Sequence, residues 1–325
     1  MHSSPPPSFS VSRRDFITKA GLGLAAACVV STKTNAATNS SVKPVTPPVA
    51  SSPRRFEIAA FEKHFYEAYS PEELAQTCDE MDLHVELTVR PEGHIKPVNT
   101  ADELPLMVEA LAKRKRRALI IATSFVRPDE PHIEQTLRTA RKLGIRHYRH
   151  RGFSYAPNKP IKAQLAEFRA QAREFAAMNR EIGITGLYQN HAGAKSVGAA
   201  IWDIDAVLDD IDPDDFGLAL DTRHLLVEQG QAWPTAVRMI SPRVRSLFVK
   251  SFRWNHDRPV ETPLSEGIVT KTMVDQILAG HGALPVCLHV EHVKLQPVAF
   301  ADRAKIVSVF RDDARVLRGW LGLPA

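Results

Sequence analysis

Side chains able to do chemistry gather at the ends of short apolar runs in this chain. Residues 84–89 carry Glu86 and are followed by Arg90, Glu92 and His94. Residues 145–150 end Tyr148-Arg149-His150, and residues 184–190 end Gln189-Asn190, with His191 next. Residues 216–221 end on Asp221, with Arg223 and His224 behind it, and residues 245–251 hold Lys250 and lead to Arg253 and Trp254. Residues 285–291 finish on His289 and Glu291, before His292. Carboxylates, imidazoles and amines of this kind ligate cations, move protons and stabilise negative charge on oxygen. Converging charged groups are costly to leave unpaired, so a site accounts for so many at once better than scattered surface decoration does.

Bringing those groups together requires strands whose ends share one face. From Arg55 onward, apolar runs at 56–61, 84–89, 118–123, 145–150, 184–190, 216–221, 245–251 and 285–291 alternate with helical patterns, the signature of β-α units around a parallel sheet. Ser70, Pro71 and Glu73 announce the first helix with a capping box and a proline in the first turn. Further helices are expected at 102–116, 131–142, 161–182, 199–210, 233–240, 270–279 and 300–317. Eight such units within residues 55–325 fit an α/β fold made of a single closed (β/α)8 TIM barrel, whose active residues sit at the C-terminal strand ends. No strand is followed by G-x-G-x-x-G, and neither G-x-x-x-x-G-K-[ST] nor G-x-S-x-G occurs, so dinucleotide, phosphate-loop and serine-hydrolase readings lack their fingerprints.

Composition narrows the class further. Of 325 residues, 44% are hydrophobic and 24% charged, the balance of a globular enzyme. Three cysteines, Cys28, Cys78 and Cys287, are too few and too scattered for a disulfide scaffold. Arg13, Arg14, Lys19 and Lys33 against Asp15 supply +3 of the formal +5, which leaves only +2 for the rest and argues against a nucleic-acid partner. The one dense basic run, Lys113 to Arg117, suits a solvated helix C-terminus. Residues 12–19, Ser-Arg-Arg-Asp-Phe-Ile-Thr-Lys, with the mild apolar stretch Ala20–Val30, resemble a twin-arginine export signal over 1–36. Processing is expected near Thr34-Asn35-Ala36, with lipoprotein anchoring at Cys28 as the alternative. The signal implies a periplasmic protein that meets the twin-arginine translocase and has no other dealing with the membrane. Residues 37–54, rich in Ser, Thr and Pro, read as a flexible spacer before the barrel of 55–325.

Several segments in order carry a family resemblance: Leu87 to His94 (LTVRPEGH), Tyr188 to Gly193 (YQNHAG), Ile201-Trp202-Asp203, and Asp212-Pro213 leading to Asp221-Thr222-Arg223-His224. Val249 to Trp254 (VKSFRW), Pro263 to Gly267 (PLSEG) and Leu288 to Glu291 (LHVE) complete the set. On these, residues 55–325 resemble the sugar phosphate isomerase/epimerase family with the xylose isomerase-like barrel. The resemblance implies a divalent metal held by a glutamate after strand five, an aspartate after strand six, a histidine after strand seven and a glutamate after strand eight, with the two glutamates also acting as acid and base. This chain keeps Asp221 and Glu291 but has Gln189 at the first of these positions and Lys250, with no histidine, at the third. An amide can ligate a hard cation but is no general base, and two anionic ligands hold a metal more weakly than three. Either a metal (Mn, Mg, Co or Zn) binds through Asp221, Glu291, Gln189 and His224, or the Lys250 ammonium supplies the positive charge itself.

The resemblance therefore implies an exported enzyme, isomerase- or epimerase-like, that abstracts a proton beside the carbonyl of a sugar or keto-sugar. Catalytic roles fall to Glu291 as base, with Lys250 and His224. Substrate contacts fall to Arg90, His94, Asn190, His191, Arg223, Trp254 and His289. Blander uses stand beside these: Asp221 as the N-cap of the following turn, His94 and His191 as loop histidines, Arg90 paired to Glu86 or Glu92, and Lys250 as a solvated lysine. Single-base chemistry keeps a lyase or hydratase acting on a keto-glycoside as the alternative, together with a non-catalytic periplasmic sugar-binding protein. A DNA-repair endonuclease on the same barrel would need a denser metal cluster than these residues provide. Export argues for an unphosphorylated sugar.

Overall fold

The computed structural model describes residues 56–65, 69–293 and 297–324. The expected export signal over 1–36, with Cys28, and the spacer over 37–54 lie outside the described residues. Eight parallel strands close a barrel in the order β1 (Glu57–Phe61), β2 (His84–Val89), β3 (Ala118–Thr123), β4 (His147–Arg149), β5 (Thr185–Gln189), β6 (Phe216–Asp221), β7 (Val244–Val249) and β10 (Pro285–Leu288). Closure is made by β1, which pairs in parallel with β2 on one side and with β10 on the other. All eight match the strands expected from the sequence in order. Their burial follows from the architecture: helices cover the outside and side chains fill the inside, so β6 is buried along its whole length.

Ala59, Ile120, Leu187, Ala219, Phe248 and Cys287 form the apolar plug inside the barrel, and the larger core lies between strands and helices. That outer layer comprises α1 (Pro71–Met81), α2 (Thr100–Lys113), α3 (Ile133–Lys142), α4 (Ile161–Ile182), α5 (Ile201–Leu208), α6 (Thr222–Gln229), α7 (Trp233–Ile240), α8 (Lys271–Ile277) and α9 (Ala304–Leu321). The capping box is present on α1: the Ser70 hydroxyl accepts from Glu73 N, and the Glu73 carboxylate accepts from Ser70 N at 2.8 Å. Among the described residues, no helix is long and apolar enough to cross a membrane.

Two departures from expectation matter for the site. β7 stops at Val249, and Ser251 begins a separate antiparallel hairpin, β8 (Ser251–Asn255) with β9 (Arg258–Thr262), turned at His256 with φ +55°. Lys250 is thereby the hinge residue between barrel and hairpin. The second departure is α6, which starts directly on the last residue of β6: Asp221 caps it by accepting from His224 N at 3.1 Å. The aspartate's backbone ends a strand while its side chain opens a helix, and this fixes His224 one turn away on the same rim.

Candidate active site

A continuous chain of polar contacts crosses the C-terminal mouth of the barrel. At one end Glu86 of β2, fully buried, forms an ion pair with Arg149, Nε 3.1 Å from Oε1, and accepts from His289 Nε2 at 3.0 Å. Arg149 NH1 donates to Gln189 Oε1 at 3.2 Å, and Gln189 Nε2 donates to Asp221 Oδ2 at 2.9 Å. Lys250 Nζ lies 3.2 Å from that same Asp221 oxygen and 3.2 Å from Glu291 Oε2. Lys63, just after β1, pairs with the other Glu291 oxygen and closes the chain. The Gln189 amide thus bridges an arginine and an aspartate, a task for which one end must accept and the other donate.

The environment sets each charge. Burial alone would raise the Asp221 carboxyl, but Lys250 and the His224 backbone N–H hold it well below the usual carboxylate range. Glu291 is likewise held down against burial by Lys250 and Lys63. Burial lowers the Lys63 ammonium despite its Glu291 partner. For His224 burial, reinforced by Lys250 and Arg223 against the pull of Asp221, pushes the imidazole to about 3. It is therefore neutral, with Lys250 Nζ 3.0 Å from Nε2 and Arg223 NH1 3.2 Å from Nδ1. His289 is lowered by burial in spite of Glu86.

Above this chain is a cavity of about 210 Å³ bordered by Phe61, Lys63, Arg90, Arg149, Gln189, His191, Lys250, His289 and Glu291, among others. Of the residues expected at the site, Arg90, His191, His289, Lys250, Gln189 and Glu291 border the cavity, while Asp221 and His224 stand immediately behind Lys250. Asn190 is buried and spent on the Asp221 backbone, accepting from its N–H at 2.7 Å and donating to its carbonyl at 3.1 Å. His94 does not border the cavity: its ring spans Glu62 Oε2 at 2.9 Å and the Tyr69 carbonyl at 2.8 Å. Arg223 pairs with Glu261 and so ties α6 to β9, and Trp254 is a half-exposed hairpin residue stacked edge-on to Phe252. Arg149 stands among the strand-end groups that the sequence points to, without an assigned role, whereas Lys63 and Glu62 are not among them. Glu62-Lys63-His64 follows the run 56–61 just as the other polar groups follow theirs, so the strand-end rule applied to the first strand would have found Lys63.

The metal set implied by the resemblance does not fit this arrangement. Asp221, Glu291, Gln189 and His224 surround the Lys250 ammonium, which contacts three of them within 3.2 Å, and Gln189 turns its NH2 group toward Asp221. A dication placed there would have to displace a lysine already neutralised by the same ligands. Among the described residues, no group of three or more His, Cys, Asp or Glu side chains is arranged to hold a metal ion.

The model of the xylose isomerase-like TIM barrel family matches residues 129–318. A search of curated protein sequences gives no match. Among solved structures the chain is similar to apo 3-keto-D-glucoside 4-epimerase from E. coli, at 11% identity and TM-score 0.61 over 82% of this chain and 100% of that one. It is similar to the probable 3-DHS dehydratase of petrobactin synthesis from Bacillus anthracis, at 12% identity and TM-score 0.60 over 81% and 98%. A xylose isomerase-like TIM barrel protein from Mycobacterium smegmatis in complex with magnesium gives 14% identity and TM-score 0.59 over 79% and 97%. At these identities the likeness is one of fold.

Proposed function

The chain belongs to the xylose isomerase-like TIM barrel family, and from that premise we propose that its barrel mouth enolises a sugar or keto-sugar, with the Lys250 ammonium standing among the residues that the sequence resemblance implies for a metal. The observation that carries this reading is the position of Lys250 Nζ, 3.2 Å from both Asp221 and Glu291 on the cavity wall. A substrate carbonyl oxygen entering the cavity can take a hydrogen bond from Lys250. Glu291 then gives up part of its ammonium contact and becomes a stronger base. It removes the proton from the carbon beside the carbonyl, and the electron pair moves onto the oxygen held by Lys250. Asp221, His224 and Gln189 position the lysine.

Among the described residues Glu291 is the one carboxylate bordering the cavity, and Gln189 and His191 border it too. One base suits return of the proton to the neighbouring carbon, an isomerisation, or loss of a substituent from the next carbon, an elimination. The two-base epimerisation that the family resemblance implies uses a second carboxylate where this chain has Gln189. The dehydratase among the similar folds keeps elimination beside isomerisation. The expected export signal over 1–36 supports a periplasmic setting and an unphosphorylated substrate.

The test is proton exchange. Keto-sugars and aldoses incubated with the protein in deuterated water should gain deuterium beside the carbonyl, read by nuclear magnetic resonance, and Glu291→Gln should lose the exchange. Absence of exchange across the panel, or undiminished exchange in Glu291→Gln, would overturn the reading. Tight binding without exchange would instead support the sugar-binding alternative.

A further inference from the structure

The catalytic cavity shares wall residues with a second, larger one. The larger cavity, of about 600 Å³, is bordered by Val126, Arg127, Phe153, Phe168, Gln171 and Val197, among others, and shares Arg151, Gln189 and His191 with the inner cavity. We propose that the site takes a two-unit substrate, a keto-sugar ring in the inner cavity joined by a glycosidic bond, near Gln189 and His191, to a second ring in the outer cavity. This rests on the enolisation reading for the inner ring and commits the substrate class to glycosides rather than free sugars.

Size and chemistry both support it. The inner cavity alone, at about 210 Å³, falls below the roughly 300 Å³ at which pockets for small organic ligands begin, whereas the outer cavity lies well within that range. The outer walls are those a ring needs: an apolar side and a polar rim. Phe153 is buried and stacks on the half-buried Phe168 with centroids 4.8 Å apart and planes 10° apart, so the aromatic wall is braced from behind. Gln171, Ser154, Ser196, Arg127 and Arg151 supply donors and acceptors around it. A sugar ring, or the aromatic ring of an aglycone, meets such a site with its face on the phenyl groups and its edges on the rim. Among the described residues no carboxylate or thiol borders the outer cavity, which suits a binding role.

The experiment is calorimetric titration of the full chain with paired probes: glucose, galactose and mannose, each against its phenyl glycoside in both anomers. At least one phenyl glycoside should bind ten times more tightly than its parent hexose. Phe168→Ala should abolish that preference, and Gln171→Ala should reduce it. Each variant is to be matched to the parent by its thermal unfolding midpoint, so that a folding defect in one leaves the other to decide. Equal affinities within every pair, no binding by any probe, or a preference that survives both substitutions would overturn the proposal. Binding is read without turnover. A phenyl preference without proton exchange therefore defeats the enolisation reading alone, and exchange of a free keto-sugar with no phenyl preference defeats this inference alone.

Discussion

Lys250→Met removes one ammonium and retains the length of the side chain, so it tests the site's central claim directly. Lys250 and Asp221 are both almost completely buried, and their charges lie 3.2 Å apart. Removing one partner of a buried pair typically costs about 3–5 kcal/mol, because the other charge is left stranded. Here Asp221 keeps the Gln189 amide and the His224 N–H, and Glu291 keeps Lys63, which places Lys250→Met near about 3 kcal/mol. Asp221→Asn strands Lys250 less, since Glu291 and His224 remain, and about 2 kcal/mol is expected. The double variant strands neither, so its cost should fall short of the sum of the singles by about 2 kcal/mol.

Urea unfolding followed by circular dichroism measures all three values. Deuterium exchange into a keto-sugar gives the second readout, where loss of one donor to the developing oxyanion should slow exchange by roughly 10²–10³-fold. Additive stability costs, or exchange by Lys250→Met within tenfold of the parent, would refute the role given to this lysine.

The remaining predictions are independent of that cycle. Combining Gln189→Glu with Lys250→His should restore the ligand set implied by the family, and calorimetry should then show stoichiometric Mn or Co binding absent from the parent; no gain would show that Lys250 is not what blocks the metal. Burial opposes the His94 imidazolium, but Glu62, 2.9 Å away, outweighs it and raises the pKa. This pairing therefore stabilises the fold fully below the unfolded histidine value of about 6.5 and is lost as pH rises through the higher folded value. Urea midpoints of the parent and His94→Gln should converge across that window, and a constant difference would contradict it. Gly198 has φ +92° and would place a Cβ 2.4 Å from Ile204 Cδ1, so Gly198→Ala should cost about 1–3 kcal/mol in the same assay.

The barrel was legible because most strands, the short polar β4 excepted, are buried apolar runs of the right length, and because Ser70, Pro71 and Glu73 write the start of α1 into local chemistry. What escaped was signalled less locally. The run 245–251 reads as one strand, yet the chain turns at Lys250 because Ser251 to Asn255 pairs with Arg258 to Thr262 rather than with the barrel. α6 escaped because Asp221 serves as strand end and helix cap at once and leaves no intervening loop. Within the site, Asp221, Glu291, Gln189 and Lys250 could be singled out by strand position. Their linkage could not: nothing in the sequence says that Arg149 reaches Gln189, or that Lys63, 228 positions away, clamps Glu291. His94 lies close to the expected rim in sequence, but Glu62, following another strand, claims its ring.

Linkage also explains how a site without an added cation could hold an enediolate. The contact chain contains three carboxylates, Glu86, Asp221 and Glu291, and three cations, Arg149, Lys250 and Lys63, while burial keeps His224 and His289 toward the neutral form. At rest the chain is balanced, which is what its burial demands. In the proposed enolisation Glu291 takes a proton from the substrate carbon, and the protein side becomes +1 at the moment the substrate oxygen becomes −1. Both changes occur at groups that Lys250 can reach, so charge moves between two partners of one ammonium and no net charge is created in the cavity. A divalent ion added to this balanced set would leave an excess of positive charge even after the oxyanion formed. In the proposed enolisation the lysine supplies the single charge that the step requires, and an amide at Gln189 fits that role, since a second carboxylate beside Asp221 would upset the balance that Lys250 completes.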